Sequence, residues 1–168
     1  MPITSQEFDK EVRQMSEVEK AWLAAAIDGE GTIGISLTSA LNTAVAMGNT
    51  SREFLENARR ITDSGIIQQS NLILKQHKPF YTWFLRQREQ LGVLQQIVPY
   101  LIIKKHIAEA VIKFLLVRCN SSEDHTKGEL SLALQVIETI GIDHFNDYHV
   151  WKKRLEKFPE KRMITTYR

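Results

Sequence analysis

The chain reads as an α+β protein in which a helix–strand–strand unit occurs twice and is followed by further helices. Two observations carry this. Helix-capping signatures stand directly ahead of both units, and the segment after the first helix alternates strictly between apolar and polar residues, with the period of a strand. Composition agrees. The 168 residues are 43% hydrophobic and 25% charged with 8 Gly and 4 Pro, which fits one folded domain spanning 1–168 and excludes collagen-like or broadly disordered classes.

Ser16 followed three residues later by Glu19 is a capping box, and the alanine-rich run behind it predicts a helix over about 17–29. Gly29 and Gly31 end it. Thr32 to Thr38 then places Ile33, Ile35 and Leu37 on one side and Thr32, Gly34, Ser36 and Thr38 on the other. A second strand is expected over 42–48. Thr50 to Glu53 reads as a second capping box, with Thr50 as cap, opening a helix to about Asp63 that Ser64-Gly65 terminates. Two longer strands are expected at 66–75 and 79–87, joined by the turn-like His77-Lys78-Pro79. A helix over 89–97 is broken near Pro99. Ile107, Val111, Phe114 and Leu115 mark the apolar face of a helix over 104–117, 128–140 predicts another, and residues 119–168 add C-terminal helices and a basic tail.

No apolar run approaches the roughly 18 residues of a membrane span, and Met1 to Arg13 is acidic and polar rather than a signal sequence. The one cysteine, Cys119, builds neither an internal disulfide nor a multi-cysteine zinc site, so a reducing, intracellular location is expected. Charge is segregated: net −4 over 7–30, +6 over 52–118, −5 over 119–149 and +5 over 150–168. The central segment and the tail, with Lys152, Lys153, Arg154, Lys161 and Arg162, are where a polyanion would lie.

The first helix carries the chemistry. Ala21, Ala24, Ala25 and Gly29 place small side chains at three- and four-residue spacing, which permits close approach of a second helix. At its C-terminal end stand two acids, Asp28 and Glu30, where the helix dipole is already negative and a cation is preferred. Solvated turn acids beside two glycines would account for the pair, and so would a cation site.

Leu23-Ala24-Ala25-Ala26-Ile27-Asp28-Gly29-Glu30-Gly31 resembles the LAGLIDADG motif of homing endonucleases, with Ala25 for glycine, Ala26 for leucine, Gly29 for alanine and Glu30 for the second aspartate. The alternating strand behind it, Gly48-Asn49-Thr50, and Pro99-Tyr100-Leu101-Ile102-Ile103-Lys104-Lys105 resemble further family segments, so the likeness spans about 16–118. The resemblance implies an αββαββα fold with a saddle-shaped antiparallel DNA-binding sheet. With one motif copy it implies a homodimer joined through the first helix, with Ala21, Ala24, Ala25 and Asp28 at the seam, Asp28 accepting backbone hydrogen bonds that hold the helix ends together.

The same resemblance implies site-specific, staggered double-strand cleavage of double-stranded DNA at a long, roughly palindromic target. Glu30 and the Gly29 carbonyl would bind Mg2+ or Mn2+, and Lys104 and Asn49 would act as catalytic residues on phosphate and water. Thr32, Ser36 and Thr38 on the first strand and Gln68, Ser70, Lys75, Lys78, Thr82 and Arg86 on the second hairpin would face the major groove. Tyr81 and Trp83 are expected in the core. An RNA-splicing maturase or a non-cleaving DNA-binding regulator of the same fold is the alternative; Glu30 and Lys104 together argue against a purely regulatory role, and two acids at a helix's negative end argue against a plain structural dimer.

Overall fold

The computed structural model describes residues 12–36, 42–70, 79–119, 127–142 and 148–157. The order is α1 Glu17–Glu30, β1 Gly31–Ser36, β2 Asn42–Asn49, α2 Arg52–Thr62, β3 Ile66–Gln69, β4 Tyr81–Phe84 and α3 Gln87–Ile97. A 3-10 turn over Val98–Tyr100 follows, then α4 Lys105–Cys119, α5 Lys127–Ile140 and α6 Tyr148–Glu156. This is αββαββα with added helices.

The caps act largely as the sequence predicts. Ser16 Oγ accepts the Glu19 N–H and the Glu19 carboxylate accepts the Ser16 N–H. Arg13 bonds the same carboxylate at 2.9 Å, and its hydrogen bond and that from Ser16 hold Glu19 down at about 2. The stabilisation is therefore complete above the unfolded value of 4.5 and fades as pH falls toward about 2. Arg13 also donates to the Ile61 carbonyl at 2.6 Å, tying the entry of α1 to the end of α2. That helix is capped by Ser51, whose Oγ accepts the Phe54 N–H, and not by Thr50.

The strands form one antiparallel sheet in the order β1-β2-β4-β3. Its inner face, with Ile33, Ile35, Val45, Met47 and Trp83, is buried against the helices. Leu23 and Ile27 of α1, Leu55, Ala58 and Ile61 of α2, and Leu94 and Ile97 of α3 complete that core. Tyr81 is half-buried. A buried polar clamp joins sheet to helix: Gln90 of α3 donates to the Thr43 and Leu85 carbonyls at 3.1 Å each and accepts from the Thr43 hydroxyl. Behind the sheet, Ala108, Val111, Phe114 and Leu115 of α4 pack on Leu130, Ala133 and Ile137 of α5.

The second hairpin departs from expectation. Ser70 falls outside β3, β4 begins only at Tyr81, and Leu85 and Arg86 turn away into α3, while residues 71–75 of the expected third strand lie outside the described residues. Among the described residues no helix is long and apolar enough to cross a membrane.

Candidate functional site

The site is built around the junction of α1 and β1. Gly31 makes the junction tight: a Cβ there would lie 2.8 Å from the Ile27 Cα and 3.1 Å from the Ala46 carbonyl oxygen, so helix and sheet meet backbone to backbone. Glu30, the last helical residue, is therefore held at the rim of the sheet with its side chain exposed.

Asp28, one half-turn earlier, is committed within its own chain. Its carboxylate accepts the N–H groups of Ile102 at 2.7 Å, Ile103 at 3.2 Å and Lys104 at 2.9 Å, the residues that lead into α4. Burial pushes this carboxyl up, but the three N–H donors and the Lys104 charge outweigh it and hold it below the usual aspartate value. The backbone hydrogen bonds it accepts come from residues 102–104 of its own chain.

Lys104 closes the clamp in the other direction. Its Nζ donates to the Asp28 main-chain carbonyl at 2.6 Å. The last turn of α1 contains no base of its own, so a lysine from 76 residues away meets the negative helix end. Removing the Asp28 carboxylate leaves three N–H groups without their acceptor. We expect Asp28→Ala to lower stability by about 2 kcal/mol and Tm by about 6 °C, read by calorimetry, with Asp28→Asn intermediate; an unchanged Tm would contradict the clamp.

Asn49 ends β2 two residues beyond Met47, the partner of Gly31, at the same end of the sheet as Glu30. Its Oδ1 accepts the Ser51 N–H at 2.8 Å, an Asx turn ahead of the α2 cap. Its two amide N–H groups and the second lone pair of Oδ1 remain for other partners.

The expected small-residue stripe is present with one change. Val18, Ala21, Ala25 and Gly29 are exposed on one flank of α1, whereas Ala24 is fully buried in its own chain's core. Ala24 therefore leaves the proposed seam, and Val18, 79% exposed, extends it by one turn. A Cβ built on Gly29 meets nothing within 4 Å among the described residues.

The sheet's outer face is fixed by register. Thr32 lies opposite Ala46, Gln68 opposite Thr82, and Thr82 opposite Gly48, so Thr32, Gln68 and Thr82 share this face. Ser70 continues it, but its hydroxyl donates to the Phe80 carbonyl at 3.0 Å. Arg86 is corrected: it caps α3 beyond the end of β4, lies 3.4 Å from Glu89, and lines an open cleft of about 390 Å3 with Arg59, Asp63 and Ser64. Ser36 belongs to β1 by its backbone, while Thr38, Lys75 and Lys78 lie outside the described residues, as do Lys161 and Arg162 of the tail.

The Glu30 carboxylate and Gly29 carbonyl are hard oxygen donors of the kind Mg2+ prefers. Among the described residues no group of three or more His, Cys, Asp or Glu could hold a metal by itself.

The sequence matches no protein-family model and no curated protein. Its structure is similar to solved homing endonucleases. An archaeal intron-encoded homing endonuclease, I-Vdi141I, complexed with DNA, aligns at TM-score 0.67 and 15% identity over 84% of this chain and 96% of that one. The homing endonuclease I-CvuI, in complex with the I-CreI target, gives 0.64 and 15% over 85% and 98%. I-TnaI, also a homing endonuclease, gives 0.55 and 16% over 86% and 99%. The αββαββα core, its antiparallel sheet and these alignments together assign the chain the LAGLIDADG homing-endonuclease fold.

Proposed function

We propose that this chain is a site-specific homing endonuclease that acts as a homodimer and hydrolyses both strands of a DNA duplex with Mg2+ or Mn2+. One observation carries the reading: an exposed acid, Glu30, ends a helix whose exposed flank bears Val18, Ala21, Ala25 and Gly29 beside the half-buried Trp22, with the Lys104 ammonium clamped to the same turn. Such a flank admits a second helix backbone at close range. Ile102 and Ile103, 87% and 64% exposed beside Asp28, add apolar surface at that end.

Pairing two copies along the stripe brings two Glu30 side chains and two negative helix ends together, an arrangement that repels unless cations are bound. The second copy and the phosphate supply further oxygens. Glu30 and the Gly29 carbonyl would hold a divalent ion, which when bound would supply Lewis-acid activation of water and offset charge on the scissile phosphate.

The chain's own groups orient the rest. Lys104, fixed at the Asp28 carbonyl, retains ammonium protons for a phosphate oxygen as charge develops there. Asn49, whose Oδ1 is held by the Ser51 N–H at the same end of the sheet, supplies amide N–H groups to position the attacking water. Hydrolysis at each strand breaks one phosphorus–oxygen bond, places the water hydroxyl on phosphorus and delivers a proton to the departing sugar oxygen. The sheet's outer face lies in the major groove, where all four base pairs are distinguishable.

A plasmid library carrying randomised inserts tests the reading. With Mg2+ a subset of plasmids is expected to become linear, and with chelator none. Retention of particular inserts without cutting under any divalent ion would overturn the enzyme and favour the regulator.

A further inference from the structure

The outer face of the sheet is less polar than its place in a DNA site demands. Its central strand, β2, presents Ala44, Ala46 and Gly48 after Asn42 at its first position, and Phe84 of β4 stands opposite Ala46. Phe80, just before β4, falls on the same face by alternation from Thr82 and is 42% exposed. Its ring lies across Gly48: a Cβ there would be 2.5 Å from the Phe80 Cζ and 2.8 Å from Cε1.

The backbone beneath the ring is fixed as well. The Phe80 carbonyl accepts both the N–H and the hydroxyl of Ser70, at 2.9 and 3.0 Å. A bulky apolar ring is thus seated on a glycine, bonded at its main chain and partly exposed, on the sheet face that also carries Gln68, Thr82 and the β2 alanines. Solvated surface gains nothing from such a seat.

In the major groove one base-edge group is apolar, the 5-methyl of thymine, and aromatic and aliphatic side chains read it by contact. We infer that Phe80 is a specificity-determining residue that recognises a thymine methyl group at one position of each half-site, with Gly48 as the seat that sets the ring. This rests on the DNA reading above and names a contact within it. Gln68 and Thr82 supply polar readout alongside.

The test begins with a duplex selected by the wild-type protein from a randomised library. Each thymine is then replaced by deoxyuridine, which removes the methyl and leaves every hydrogen-bonding group in place. One position per half-site is expected to weaken binding by about fourfold, the worth of one buried methyl. In Phe80→Ala that difference disappears, while the sensitivity of the other positions persists.

Phe80→Leu, which keeps an apolar contact and is milder for the fold, retains part of the methyl effect. Gly48→Ala, which displaces the ring, reduces it. Placing 5-methylcytosine for cytosine at other positions does not create the effect, which separates a seated thymine from general methyl attraction. Undiminished methyl sensitivity in Phe80→Ala and Phe80→Leu, or none in the wild type, overturns the inference while leaving the nuclease intact. Failure of the wild type to select any duplex overturns both, and is seen before any variant is made.

Discussion

Glu30→Gln is expected to reduce DNA cleavage by a factor on the order of 10^3 or more while leaving target binding in place. The substitution preserves size and removes one negative charge from an exposed helix end, so folding stability should move by no more than about 0.5 kcal/mol. Retention can only gain, since two fewer charges repel each other and the phosphates. Cleavage on a supercoiled plasmid and retention on a filter, measured with the same preparation, separate the two effects. Wild-type cutting by Glu30→Gln would move the metal ligand elsewhere.

Gly29→Leu should have the opposite profile, an intact fold without assembly. A Cβ at Gly29 meets nothing within 4 Å among the described residues, and leucine is the better helix former by several tenths of a kcal/mol. Tm of the monomer is therefore expected to stay or rise slightly. Across the proposed seam, by contrast, leucine would hold two helix backbones apart where Ala21 and Ala25 let them meet. Cleavage is expected to fall below detection because neither copy completes the other's site. A well-folded variant that still cuts both strands would remove the stripe from the mechanism.

Much of this architecture was legible because local signals were strong. Ser16 and Glu19 fix where α1 begins, the alternation from Thr32 fixes which face of β1 is buried, and Gly31 marks the backbone contact between them. Other features depend on contacts that spacing does not encode. Ala24 and Ala25 are neighbours about 100° apart on the helix, and tertiary packing alone decided that Ala24 faces inward. Thr50 and Ser51 are both capable caps, and the Asx turn at Asn49 selects the second.

The partner of Asp28 lies 74 to 76 residues away, so the clamp to Lys104 is a product of topology and not of any local pattern. Arg86 shared a run with β4 but lies past the point where Leu85 turns the chain into α3. Phe80 went unnoticed as a surface residue, although its signal was present: an isolated glycine, Gly48, near the end of a strand marks a close approach.

The central claim is that Glu30 works at a seam between two copies of this chain. Sedimentation equilibrium of the wild-type protein, run across micromolar concentrations, tests it most directly. A species of twice the 19.4 kDa chain mass, lost in Gly29→Leu, is the predicted result. A wild-type chain that stays at its single mass while cleaving both strands of its target would contradict it.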